Sequence, residues 1–228
     1  EERRPARRPA SRKVELDLAG EVREQLARAT GGGARHERVE RRLGEAAEHF
    51  ENERFADAGR ILRKLVDEAP RVAAVRELLG ITLYRQEKWK AAAKELEAYR
   101  QLSEGAAAVE QHPVLADCYR ALEQWERVTE LWDELRDVSP SAELVTEGRI
   151  VVAGALADQG DLRGAIRLIG QGFTFPKRPR PHHLRRAYVL ADLCERAGDL
   201  PRARELFLRI DMADPRFADV RKRLRQMR

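Results

Sequence analysis

The chain has 228 residues, 36% of them charged and only 6% aromatic, and carries a net charge of +5. That composition excludes one thick globular core, and the longest apolar run, Ile150 to Ala157, is eight residues, too short to span a bilayer. Two cysteines, Cys118 and Cys194, are too few for a disulfide framework, whereas the abundant Ala, Leu, Arg and Glu are all good helix formers.

In chain order, residues 1–13 come first. This stretch, EERRPARRPASRK, has a net charge of +4 and two Arg-Pro dipeptides, which predicts a flexible arm that cannot bury enough apolar surface to fold. Next, Val14, Leu18, Val22, Leu26 and Ala29 recur at helical spacing and predict an amphipathic helix over 14–30, stopped by a glycine hinge at 31–34 that includes Gly31, Gly32 and Gly33. Alone in water such a helix is marginal. It is expected to dock on the first repeat, to close over the repeats as a lid, or to exchange into a second copy as a homodimer.

From residue 35 to 215 the chain repeats itself. Small residues pair twelve positions apart in Ala46/Ala58, Gly80/Ala92, Ala116/Val128, Ala153/Ala165 and Ala191/Ala203. Nine residues after the first member of each pair stands a bulky one: Phe55, Trp89, Trp125, Leu162 or Leu200. The pairs recur every 34 to 38 residues, which predicts an all-α solenoid of about five helix hairpins at roughly 39–70, 73–104, 109–140, 146–177 and 184–215. Small residues on facing helices allow an approach of about 8–10 Å, and the bulky residue fills the gap to the next hairpin. Gly160-Asp161 and Gly198-Asp199 read as a left-handed helix end followed at once by an N-cap, the chemistry of a tight turn between antiparallel helices. Phe217, Val220 and Leu224 then share one face of a basic capping helix over 216–228.

Leu79-Gly80, Tyr84, Trp89, Ala92 and Leu96, and again Leu190-Ala191, Gly198, Ala203, Phe207 and Pro215, resemble the tetratricopeptide repeat. Departures are His49, Val128 and Lys177, which stand where the pattern has Tyr, Ala and Pro. The resemblance implies a right-handed superhelix that binds other proteins. More finely, segments such as RVAAVRELLGITLYRQEKWKAAAKEL and LRRAYVLADLCERAGDLPRAREL look like an uncharacterised actinobacterial family of such proteins, which implies a cytoplasmic setting and carries no activity over.

On the repeat pattern, the first helix of each hairpin lines a concave groove. The inward positions are Glu77, Ile81, Tyr84 and Arg85 in the second repeat, Asp117 and Arg120 in the third, and Tyr188, Asp192 and Glu195 in the fifth. Tyr and Arg there suit the capture of a peptide segment, and the chain reads as a non-catalytic adaptor for a protein partner. The Lys and Asn set by which some such domains grip chaperone tails is missing, since Leu43, Ala47, Leu78, Glu110 and Val114 stand in those places.

A rival reading is electrostatic. Residues 176–186 and 216–228 each carry a net +5, so Arg3, Arg4, Arg7, Arg8, Arg178, Arg180, Arg223 and Arg225 could meet the phosphates of RNA, as in a ribosome-associated factor. No stacking aromatics interleave with them, which weakens sequence-specific recognition. The loop pair His182-His183 has no further ligand at metal spacing, and the zinc, nucleotide and nucleophile motifs are missing, so neither enzyme chemistry nor a metal or cofactor is expected.

Overall fold

The structure, a computed structural model, describes residues 20–227. The arm expected over 1–13 and the start of the helix expected over 14–30 lie outside the described residues. Among those described, the elements are helices throughout and none is a strand. The chain falls into two compact units whose boundary lies between Glu134 and Leu135.

In the N-terminal unit, α1 (Gly20–Thr30) packs on α2 (Gly33–Glu51) and on α4 (Ala73–Arg85), burying Leu26 completely. Intramolecular docking is thus one of the three roles anticipated for this helix. Gly31, Gly32 and Gly33 all have positive φ, at 74°, 80° and 69°. The hinge is shorter than expected, because α2 already starts at Gly33 and residue 34 is helical. Hairpins follow as α2 with α3 (Phe55–Glu68), α4 with α5 (Trp89–Leu102), and α7 (His112–Ala121) with α8 (Trp125–Val138), the last crossing the unit boundary. Helix α3 packs on α2 and on α4, and α5 packs on α4 and on α7. An unanticipated short helix, α6 (Gly105–Val109), packs on α5 ahead of α7.

The C-terminal unit holds α9 (Ala142–Asp158) with α10 (Leu162–Gly170), α11 (Pro181–Arg196) with α12 (Leu200–Ala213), and α13 (Val220–Gln226) against α12. Helices α9 and α11 begin earlier than the repeat spacing predicts. Ser141 caps α9 by accepting the Leu144 amide at 3.1 Å, and Pro181 suits the first turn of α11. The fourth hairpin also ends sooner than 177. Gly170, Gly172 and Pro176 stop α10 after nine residues, where α3, α5 and α12 run to 14.

The twelve-residue pairs mark the close contacts. Ala46, Ala58, Ala92, Ala153, Ala165, Ala191 and Ala203 are all fully buried. Gly80 is the tightest: a Cβ there would lie 2.6 Å from Leu96 Cδ2 and 3.3 Å from the Leu96 backbone nitrogen. Both cysteines are free and buried, and burial pushes each thiol up from its ordinary pKa.

Hairpin turns differ between the units. In the C-terminal unit Gly160 and Gly198 take φ of 87° and 84°, and Asp161 and Asp199 accept the backbone N–H of Gly164 and Arg202 at 2.7 and 3.3 Å. In the N-terminal unit the equivalent left-handed residues are Glu53, Glu87 and Glu123, and neither α3 nor α5 has a side-chain cap. No atom lies within 4 Å of a Cβ built on Gly160 or Gly198. Ala at either site is therefore expected to cost about 1 kcal/mol, purely from left-handed backbone strain, as read by urea unfolding. An unchanged midpoint would show that the turn relaxes instead.

Candidate functional site

Six of the nine expected groove residues lie on a face made by α4 and α7, and the structure buries two of them deeply. Tyr84 is 1% exposed; its hydroxyl donates to Asp117 Oδ2 at 2.7 Å and its ring meets Trp89 edge-on at 5.4 Å. Asp117 Oδ1 accepts from Arg120 at 3.2 Å, so Tyr84, Asp117 and Arg120 form one hydrogen-bonded line across two hairpins. Ile81 is buried beside them in sequence. The placement of Tyr84 and Ile81 as ligand-facing residues is corrected: both side chains are buried, and Tyr84 is engaged by Asp117 of the next hairpin.

Glu77 stays partly exposed. The Gln111 amide donates to its Oε1 at 2.7 Å, and no cation pairs with it among the described residues. Burial pushes the Glu77 carboxyl up to about 7, with the Gln111 hydrogen bond opposing and the neighbouring Glu110 adding to the shift. Arg85 lies 4.6 Å over the Phe55 ring and 3.3 Å from Glu53. These polar contacts join residues about one period apart: 33 for Tyr84 to Asp117, 34 for Gln111 to Glu77, 32 for Arg85 to Glu53.

A second network, absent from the sequence reading, ties α5, α7 and the N-terminal part of α8. Arg100 donates to both oxygens of Glu134 at 2.7 Å, and His112 Nε2 sits 2.9 Å from Glu134 Oε2. Burial of His112 outweighs that carboxylate and lowers its pKa. Glu97 accepts from Tyr119 at 2.9 Å and from Arg127 at 2.7 Å. Complementary residues 22 to 34 positions apart were the available signal.

In the C-terminal unit the expected groove residues Tyr188, Asp192 and Glu195 are occupied by the chain itself. Tyr188 is buried and donates to Asp219 Oδ1 at 2.6 Å. Arg223 of α13 pairs with Asp192 at 2.7 Å, with Asp219 at 3.3 Å and with Glu195, and lies 5.7 and 5.6 Å from the Tyr188 and Phe207 ring centres. Burial and the Asp219 hydrogen bond raise the Tyr188 pKa. Arg223 is thereby withdrawn from any phosphate, which corrects its place in the basic set. Arg180 pairs at 3.4 Å with Glu143. Arg178 and Arg225 remain exposed, while Arg3, Arg4, Arg7 and Arg8 lie outside the described residues. His183 Nδ1 accepts the Arg180 backbone N–H at 3.0 Å, so that histidine caps α11.

No group of three or more His, Cys, Asp or Glu could hold a metal among the described residues, and none of their helices is long and apolar enough to cross a membrane. Hairpins of antiparallel helices that pack on their successors through small paired residues define a helical repeat protein. The tetratricopeptide repeat model matches residues 43–107 and 150–216, more than half of the chain, and the chain belongs to that family.

Solved structures agree on the fold. A thermophilic TPR protein of Thermus thermophilus is 15% identical with a TM-score of 0.60 over 83% of this chain and 98% of its own. The apo quorum sensor NprR of B. thuringiensis is 14% identical, with a TM-score of 0.70 over 94% of this chain and 64% of its own. YrrB, described as a TPR protein with an unusual peptide-binding site, is 15% identical, with a TM-score of 0.51 over 85% of this chain and 98% of its own. No curated protein matches the chain. A fold of this family is generally an interaction scaffold.

Proposed function

We propose that the chain is a non-catalytic adaptor that holds a peptide segment of a partner protein against α4 and α7, with a basic group of that segment at Glu77. The observation that carries this reading is the partly exposed Glu77 carboxylate, whose direct partner is the neutral amide of Gln111 and whose charged neighbour is Glu110. A lysine, arginine or terminal amine placed there would supply the counter-charge that the described fold does not. Arg85, Asp117 and Arg120 flank the site with partly exposed polar ends. Two buried, free thiols fit a reducing cytoplasm as the setting.

The sign of the pH effect follows. Because the folded-state pKa of Glu77 is raised from 4.5 to about 7, the folded form holds the proton more tightly, and stability falls as pH rises through 7. Glu77→Gln is expected to stabilise the protein by ~1–3 kcal/mol at pH 8 and to change nothing below pH 4. Binding runs the other way, since only the ionised carboxylate attracts a cation. On an array of acetylated dodecapeptides with single Lys or Arg residues in a Leu/Ala background, wild-type affinity should rise between pH 6 and pH 8, while Glu77→Gln responds weakly and without that rise. Equal, pH-independent binding by both proteins would overturn the assignment.

A further inference from the structure

The second-helix face of the C-terminal unit carries a depression of about 750 Å³ that neither the repeat pattern nor the first-helix face explains. Its origin is local. The ninth residue of the second helix is Arg63, Glu97, Asp133 or Leu208 in the other hairpins and Gly170 in the fourth, so the side chain that covers this spot elsewhere is missing. At the other end Gly164 is also bare, and a Cβ there would stand 2.0 Å from the capping carboxylate oxygen Asp161 Oδ2. Two bare positions on α10 leave a trough bordered by Arg202 of α12, whose guanidinium lies 3.5 Å from the place a Gly170 Cβ would take.

The lining is amphipathic. Leu156, Ile166 and Leu168 supply its apolar part; Arg167 and Arg202 are exposed and have no carboxylate partner among the described residues. The wall at Gln171 is held from behind. Its carbonyl accepts from Arg149 at 3.5 Å and Arg186 at 2.5 Å, and the same two guanidinium groups take the carbonyls of Leu168 and Ile169 at 3.2 and 2.8 Å. Four cationic groups thus surround or underlie one open end of a short, clamped helix. Asp161 is engaged at the opposite end by the Gly164 amide.

We infer that this trough between α10 and α12 is a second docking site, for an acidic peptide segment that carries an aliphatic or aromatic side chain beside its carboxylate. Charge complementarity selects the carboxylate, through the forked geometry of Arg167 and Arg202. The apolar lining favours such a peptide over a nucleic-acid strand, whose repeating phosphates would not use it. A clamped wall lowers the ordering cost of binding.

The test uses the full chain and an array of acetylated, amidated octapeptides in which Asp or Glu sits beside Leu, Ile or Phe, with Asn/Gln counterparts and a single-stranded RNA decamer. Saturable binding of acidic apolar peptides is expected. It should weaken at least tenfold for Arg167→Glu/Arg202→Glu, and equally for Gly170→Leu, which fills the trough without removing a charge. Circular dichroism checks that both variants fold. Affinities unchanged in either folded variant, absence of saturable peptide binding, or RNA competing more strongly than the acidic peptides would overturn the inference.

Discussion

Gly80→Ala is expected to destabilise the N-terminal unit by about 2–3 kcal/mol, although Ala is intrinsically the better helix residue by ~1 kcal/mol. The added methyl would meet Leu96 Cδ2 at 2.6 Å and Cγ at 2.7 Å, and Leu96 is fully buried and has nowhere to turn. Gly44, in the preceding first helix, is exposed with nothing within 4 Å of its Cβ position, so Gly44→Ala should stabilise by about 0.5–1 kcal/mol. Opposite signs for one substitution make the comparison decisive. Trp89, Trp125 and Trp132 are the three tryptophans of the chain and all belong to the N-terminal unit, so urea unfolding followed by tryptophan emission reads that unit alone. Combining Gly80→Ala with Leu96→Ala should cost less than the two single changes together. Additive losses, or a neutral Gly80→Ala, would refute the close contact as the cause.

Arg223→Ala is expected to cost the C-terminal unit about 2–3 kcal/mol. Removing the guanidinium leaves Asp192, Glu195 and Asp219 facing one another without their common cation and strips a contact from the Tyr188 and Phe207 rings. Far-UV circular dichroism and hydrogen exchange over α11 to α13 should report the loss, while the tryptophan transition stays in place. Neutralising the orphaned carboxylates with Asp192→Asn and Glu195→Gln should restore part of it, because repulsion rather than packing is then the larger deficit. A change below about 0.5 kcal/mol would place these ion pairs in the class of solvated surface pairs.

The hairpins were legible because their cause is steric and recurs: a small residue in one helix, another twelve residues on, and a bulky one between. Ala191 and Ala203 show the pairing and are fully buried, whereas Leu200, expected to fill the gap to a neighbouring hairpin, is 49% exposed. Helix lengths were less legible. Gly170 and Gly172 shorten α10 although the repeat spacing on either side continues, and α6 arises where a run of alanines follows Gly105. The helices that carry the candidate groove residues were legible, and the exposure of those residues was not. A repeat rule says that Tyr84 and Tyr188 point from the first helix; it does not say that an aspartate 33 or 31 residues later will receive each hydroxyl. That information lay in complementary residues one period apart, as in Glu77 and Gln111 or Glu147 and Arg185.

Those polar ties also determine how change travels within a unit. Tyr84 to Asp117, Gln111 to Glu77 and Arg185 to Glu147 each join a hairpin to its immediate neighbour and reach no further. Each unit behaves as a row of links rather than as one closed core, with ties that stay local in sequence. A ligand seated at one hairpin can therefore stiffen the next without a long-range conformational switch. Lengthening or shortening the row by a whole hairpin would preserve every remaining link, whereas removing half a hairpin would strand one.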